Sequence, residues 1–269
     1  MPDSCVAFAR RQRIRALWRP LILLVLMVAL AWWFVDTASE QYRWQWYRVW
    51  RYVGVWEDGS FQPGVLLKAL GVTFELTLAG LALSLVWGAA LAAMRLSASP
   101  AARLLSSLAL GLLRNTPLLM QLFMVYFVAA PVLGVGPFTA AVLSLGLFEG
   151  AYIAEIFRAG ILAVPRGQWE AAMSLGMNSF QRTWYILVPQ ALKTILPALG
   201  NEFIMIVKDT SLASTFFIGD LMTQYLIVRG ASYLPLEPLV IVGVIYFILT
   251  FLLSKLFGFF EMRMSRADR

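Results

Sequence analysis

Several side chains that could bind a charged solute lie within or beside strongly apolar stretches of this sequence. Moving a charged side chain to the centre of a bilayer costs about 2.5–3.5 kcal/mol on insertion scales, so such groups usually face a cavity or pair with one another. The pattern therefore indicates either a path for a polar solute or a set of buried ion pairs. The candidate path residues are Arg114, Thr116, Glu149, Lys208, Asp209, Thr210 and Ser211.

Both interpretations stay open for most of this set. Glu149 could line a path or neutralise a buried basic residue, and Lys208 and Asp209 could be simple charges at a membrane surface. Glu155 and Arg158 are three residues apart on a helical pattern, which favours a structural ion pair. Beside Glu149, small residues recur every four positions and predict close packing of another helix. This stripe consists of Gly146, Gly150 and Ala154.

Residue content excludes several chemistries. The chain has no histidine and one cysteine, Cys5, so histidine-based acid–base catalysis, His/Cys metal sites and internal disulfides are excluded. No Gly-x4-Gly-Lys-Ser/Thr phosphate loop occurs either. The sequence therefore predicts no metal and no cofactor bound by this chain, and no covalent catalysis.

The composition is that of a membrane protein. Hydrophobic residues make up 60% and charged residues 14% of the chain, whereas soluble domains average about 25% charged residues. The net charge of +7 is explained by basic residues retained on one side of a bilayer. The expectation is an all-α integral membrane protein.

A helix that crosses a bilayer needs about 20 mostly apolar residues, and six apolar runs predict about six spanning helices. The runs are Pro20–Val35, Val65–Met94, Leu104–Ala130, Thr139–Leu162, Leu192–Val207 and Leu239–Phe259. Interfacial aromatics, Trp32 and Trp33, end the first run in place of a small-x-small cleavage site, which favours a retained anchor over a signal peptide.

Basic residues predict the orientation. Excess Lys and Arg mark cytoplasmic loops, and most of them fall on one side if both termini are cytoplasmic. These residues are Arg10, Arg11, Arg13, Arg15, Arg19, Arg95, Arg103, Arg158, Arg166, Arg182, Lys193, Arg263, Arg266 and Arg269.

The exceptions, Arg43, Arg48 and Arg51, lie in the Trp- and Tyr-rich segment Tyr42–Trp56. That segment is predicted to be a short helix on the outer membrane interface, with Trp46, Val49, Trp50 and Val53 on one face. The flanking spans favour this over a nucleic-acid-binding stripe.

A polar loop between the fourth and fifth spans is predicted to form two short helices. Gln168–Leu175 contains good helix formers, Gly176 supplies a stop, and Asn178 with Gln181 forms a capping box whose helix is expected to end at Pro189. The alternative is a polar loop that packs only on its own bundle.

The loop resembles the EAA motif of ABC-importer permeases. The matching residues are Glu170, Ala171 and Ala172, then Gly176, then Ile186-Leu187-Val188-Pro189, with Val188 as the departure. Further pieces resemble the polar amino acid branch of that family. They are Arg114-Asn115-Thr116-Pro117-Leu118, Tyr152–Ile161, Gly167-Gln168 and Lys208–Ser214, with Asn115 in place of the commoner Gly.

The resemblance covers about residues 65–260 and implies a type I permease core of five helices. Residues 1–64 are then an added basic stretch, anchor and interfacial segment, 65–262 the core, and 263–269 a cytoplasmic tail. It also implies that Glu170, Ala171, Ala172, Leu175 and Gly176 form the coupling helix that docks on a separate ATPase dimer.

The implied function is uptake of a polar amino acid across the cell inner membrane. Two permease subunits would form the channel, an extracytoplasmic solute-binding protein would deliver the substrate, and ATP used by the ATPase would drive alternating access. Glutamate or aspartate is the first candidate substrate, with basic amino acids and glutamine left open. The alternative is a stand-alone secondary transporter or an integral-membrane enzyme.

Overall fold

The computed structural model describes residue 18 and residues 22–30, 32–33, 36–37 and 42–266. The basic stretch before Trp18 and part of the predicted first span, Pro20–Val35, lie outside the described residues; the described positions 22–30 and 32–33 are helical. The chain divides into two compact units, Met1–Tyr47 and Arg48–Arg269.

The segment before the core folds into two short turns and a β-hairpin. A 3-10 turn covers Trp46–Arg48, helix α1 covers Trp50–Val53, and strands β1 (Gly54–Glu57) and β2 (Ser60–Pro63) pair antiparallel. The prediction of one interfacial helix over Tyr42–Trp56 is therefore wrong, because residues 54–57 form a strand. Apart from this hairpin, the elements of the described residues are helical, as the sequence predicts.

The hairpin forms because of its turn residues. Asp58 and Gly59 both have positive φ, 49° and 75°, which matches the two-residue turn whose twist suits a hairpin. Val49 is fully buried while Trp50 is exposed, so the predicted shared helical face does not form. Trp56 and Phe61 are cross-strand partners in edge-to-face contact, and Trp56 is 74% exposed.

Two long helices, α2 (Val65–Leu96) and α6 (Pro137–Leu162), run in parallel through the centre of the bundle. The predicted stripe of small residues on α6 is confirmed as their contact. A Cβ atom added at Gly146 would lie within 2.8 Å of Leu83, and one at Gly150 would lie 2.8 Å from Trp87. The missing side chains therefore allow the two helices to approach closely.

The region of the third predicted span, Leu104–Ala130, is sharply bent. Helix α3 covers Pro100–Arg114, and a second arm follows at 104° to it. The second arm consists of α4 (Leu118–Met124), a π-helical segment (Val125–Ala129) and α5 (Ala130–Leu133). The break falls at Asn115-Thr116-Pro117 because the residue before a proline is biased away from helical geometry.

A nearly continuous helical path follows the loop. Its parts are α7 (Arg166–Ser174), α8 (Ser179–Gln181), a π-helical segment (Arg182–Leu187), α9 (Val188–Asp209) and a 3-10 segment (Thr210–Phe216). The prediction that Pro189 ends the α8 piece is wrong. Proline has no backbone N–H to donate, and its ring needs space in the preceding turn. The wider π segment before Pro189 provides that space, so the helix continues.

Helix α10 (Leu221–Ser232) leaves this path at a 47° bend, and α11 (Glu237–Arg266) closes the bundle against α9. By length and composition, the described residues contain three helices able to cross a membrane, or up to five if each bent pair counts as one span. The hairpin precedes the start of α2 and α7 follows the end of the parallel α6, so the two features lie at opposite ends of the bundle.

Candidate coupling surface and solute path

Helix α7 ends in a turn that only a few residue types accommodate. Gly176 has φ +73°; its N–H donates to the carbonyl of Met173 at 2.9 Å, and the N–H of Met177 donates to the carbonyl of Ala172 at 3.1 Å. These two bonds form the Schellman motif, which requires left-handed backbone at the glycine position. The predicted glycine stop is therefore confirmed.

The predicted coupling residues divide between an exposed surface and the bundle. Glu170, Ala171 and Gly176 are exposed, and Leu175 is 81% exposed. Ala172, in contrast, is 2% exposed and packs inward. Its small side chain serves the packing of α7 on its own chain, and the surface available to another protein comes from the remaining four residues.

A cation–π contact fixes α7 to the helix that follows. The guanidinium of Arg182 lies 4.7 Å from the centre of the Trp169 ring and donates to the Ser179 hydroxyl at 2.9 Å. The predicted capping box is confirmed, because Asn178 and Gln181 exchange side-chain-to-backbone hydrogen bonds at 2.9 Å. The loop is thus an exposed surface whose two helices are held together by side-chain contacts.

Three carboxyl groups meet between α6 and α9. Glu149, on α6, is 2% exposed, and its carboxyl group is within hydrogen-bonding reach of both Glu202 and Asp209 on α9. Glu202 and Asp209 are two helical turns apart and therefore share one face of α9. Ionised carboxylates at this spacing repel one another, and a cationic group between them would relieve that repulsion.

A groove of about 500 Å³ lies between α9 and α11 on the neighbouring face of α9. Lys208 and Asn201 line it from α9, two turns apart, and Thr250 lines it from α11. The ammonium group of Lys208 and the amide group of Asn201 thus lie one residue along α9 from Asp209 and Glu202. The arrangement offers opposite charges on adjacent faces of one helix.

The other predicted path residues lie elsewhere or support the backbone. Arg114 lies with Glu155, 4.0 Å away, and the Thr116 hydroxyl donates to the carbonyl of Leu112, so neither joins the carboxyl cluster. Thr210 is buried and donates to the carbonyl of Val207 at 2.7 Å, while the Ser211 carbonyl accepts from a hydroxyl in the 3-10 segment. The predicted Glu155–Arg158 pair is confirmed, with an N–O distance of 2.9 Å.

Glu202 is the member of the cluster that the sequence did not suggest. It precedes Asp209 by two helical turns, and that spacing on a helix passing through a membrane is the signal that could have identified it. The predicted span Leu192–Val207 ends before Asp209, whereas α9 extends to Asp209 and places both carboxyls on one face.

Comparison with known proteins identifies the class. Residues 84–266 match the family described as binding-protein-dependent transport system inner membrane component. The chain belongs to this family and is a membrane-embedded permease subunit of an ABC importer, a transport component rather than an enzyme.

Its relatives are amino acid permeases. The probable amino-acid ABC transporter permease PatM of Vibrio harveyi is 35% identical over 207 residues, covering 76% of this chain and 93% of PatM. The arginine transport system permease ArtQ of Bacillus subtilis is 34% identical, covering 76% of this chain and 94% of ArtQ. A crystal structure of an amino acid ABC transporter with histidines is 39% identical with a TM-score of 0.69, covering 74% of this chain and 94% of that one. The chain is thus a permease subunit of the amino acid ABC transporters, with a type I importer fold.

Proposed function

We propose that this chain forms the channel together with a second permease subunit, identical or homologous, and imports a basic amino acid. The carboxyl cluster of Glu149, Glu202 and Asp209 carries this proposal. Carboxyl groups at this spacing share protons, and a solute with a second positive charge allows more of them to ionise than one α-ammonium group does. A cationic side chain supplies that charge.

The groove between α9 and α11 suits the carboxylate group of the same solute. The ammonium group of Lys208 in the α9–α11 groove attracts a substrate carboxylate. The sequence favoured glutamate or aspartate as the first candidate; the repulsion between an acidic side chain and the three carboxyl groups argues against it. Among the relatives, the arginine transport system permease is consistent with a basic substrate.

Energy transfer is proposed to occur at the exposed surface of α7. Glu170, Ala171, Leu175 and Gly176 would contact an ATPase dimer that binds and hydrolyses ATP, so this chain binds no cofactor itself. The exposure of these residues and the braced Schellman turn support this assignment. An extracytoplasmic solute-binding protein would deliver the substrate at the hairpin end.

The orientation follows from the same argument. If α7 docks on a cytoplasmic ATPase, the hairpin end faces outward and the C-terminus after α11 is cytoplasmic. The distribution of Arg and Lys agrees with this placement in the inner membrane, with both termini in the cytoplasm.

Uptake by the complete transporter in proteoliposomes tests the substrate proposal. We expect radiolabelled arginine or lysine to be transported and glutamate not to be, and we expect Glu202→Gln to lower uptake of the basic amino acid about tenfold, the effect of about 1.4 kcal/mol. Glu75→Gln, the same change in α2 and outside the cluster, is the matched control. Transport of glutamate in preference to arginine, or equal effects of the two variants, would refute a cationic site.

A further inference from the structure

Helix α3 crosses the bundle instead of running along α2, so its two ends lie at similar positions along the α2 axis. The Ser106 hydroxyl, in the first half of α3, donates to the carbonyl of Leu91 at 2.8 Å. Arg114, at the far end of α3, reaches Glu155, which also binds Arg95. Leu91 and Arg95 are about one turn, 5.4 Å, apart, whereas Ser106 and Arg114 are about 12 Å apart. The helix therefore lies across α2 and α6. It crosses near the C-terminal end of α2, which is the end of the bundle where α7 lies.

Three faces of α3 have different environments. One face is buried and contains Ser106 and Leu110. A second is exposed and apolar, with side chains 56–70% accessible: Leu104, Leu105, Leu108 and Leu112. A third is polar and consists of Arg103, Ser107, Gly111 and Arg114. A helix with an exposed apolar face beside a basic polar face is typical of the boundary between the hydrocarbon and the headgroups of a membrane.

A pocket of about 400 Å³ opens where the polar face meets α2 and α6. Arg95, Ser107, Arg114 and Tyr152 are among its lining residues, and Asn115 completes its polar wall. No acidic side chain is found among the described residues that line it. The pocket is therefore a basic recess directly beside an exposed leucine face.

Positive charge exceeds negative charge around this pocket. Glu155 is hydrogen-bonded by Arg95 and, at 2.9 Å, by Arg158. Arg114 comes no closer than 4.0 Å to the same carboxylate and lies over the Tyr152 ring at 5.3 Å. Three guanidinium groups thus share one carboxylate, which leaves two positive charges in excess.

We propose that this pocket binds the phosphate group of an anionic membrane phospholipid. The planar guanidinium of Arg114 matches phosphate oxygens in a bidentate arrangement, Arg95 adds charge, and the Ser107 hydroxyl supplies a further donor. The acyl chains then lie along the leucine face of α3. A free phosphate would use the same donors, but the exposed leucines beside them favour a lipid.

Native mass spectrometry of the purified full-length chain in detergent tests the proposal. The probes are dioleoyl phosphatidylglycerol, the zwitterionic dioleoyl phosphatidylcholine and soluble glycerol phosphate. We expect retained phosphatidylglycerol in preference to phosphatidylcholine, and about fivefold weaker retention in Arg114→Gln, falling as salt is raised. Glycerol phosphate binding as tightly as phosphatidylglycerol would overturn the lipid assignment.

Arg103→Gln is the matched control, because Arg103 lies on the same polar face but does not line the pocket. It removes the same charge and should change retention by less than about twofold. Ser107→Glu is a second variant that keeps every arginine in place and should reduce retention at least as much as Arg114→Gln. Equal losses in Arg103→Gln and Arg114→Gln, or unchanged retention in Ser107→Glu, would refute a defined site.

Discussion

Gly176 offers a direct test of whether the turn after α7 transmits the coupling. Its φ is +73° and an added Cβ would meet no atom within 4 Å, so a substitution is penalised by backbone conformation and not by a clash. For a residue other than glycine, the left-handed region costs about 1–2 kcal/mol. That free energy lowers the equilibrium constant for forming the native turn about 5–30-fold relative to glycine.

If only the native turn docks, the apparent affinity for the ATPase falls by up to the same factor, because it scales with the fraction of permease that has the native turn. We expect weaker binding of the ATPase, by up to about 30-fold, in Gly176→Ala and Gly176→Val. Gly176→Asn should lie close to the wild type, because asparagine tolerates positive φ. The measurement is a titration of the purified permease with its ATPase, with substrate-stimulated ATP hydrolysis as the functional readout.

Charge at the same surface is a separate arm of this test. Aspartate also tolerates positive φ, so the effect of Gly176→Asp reports the added charge, and Glu170→Arg reverses a charge on an exposed face. Both variants should lose substrate-stimulated ATP hydrolysis while still inserting in the membrane. Wild-type affinity in Gly176→Val, or equal loss in the Asn and Val variants, would contradict the reasoning from backbone conformation.

Three further outcomes are expected. Glu149→Gln should change the affinity or selectivity of uptake without loss of insertion, and unchanged uptake of every tested amino acid would make Glu149 structural. Gly150→Leu should destabilise the folded protein by about 1–3 kcal/mol or more, measured as a lower midpoint of thermal unfolding in detergent, because α2 leaves no room for the side chain; a midpoint equal to that of the wild type would contradict that packing. A reporter fused after Arg269 should signal the cytoplasm and one inserted near Asp58 the outside, whereas an external C-terminus would remove a span.

The long elements were predictable because hydropathy alone determines them. The ends of α2 and α6 fall within two residues of the predicted spans Val65–Met94 and Thr139–Leu162. The stripe of small residues was equally visible, because spacing on a helix translates directly into a packing face. The exposed glycine turn after α7 followed from residue types whose conformational preferences are local.

What the sequence did not indicate depends on interactions between distant segments. The bend at Asn115-Thr116-Pro117 has a local cause, but its 104° angle reflects the packing of α3 across two other helices. The passage of the chain through Pro189 depends on a π segment, which has no simple sequence signal. The carboxyl cluster joins Glu149 to Glu202 and Asp209, and no periodicity within either helix reveals a contact between them.

The uninterrupted backbone from α8 to the 3-10 segment has a mechanical consequence. A continuous helix, with a rise of about 1.5 Å per residue, leads from the loop near Trp169 to Asp209. A rotation or tilt at one end of this helix therefore moves the other end as well. Deleting one residue from the middle of α9 would turn its two carboxyls by about 100° away from Glu149 without altering either end. The number of residues in this helix therefore determines whether the carboxyl-bearing face of α9 points towards Glu149. Its length matters as much as the identity of the groups at its ends.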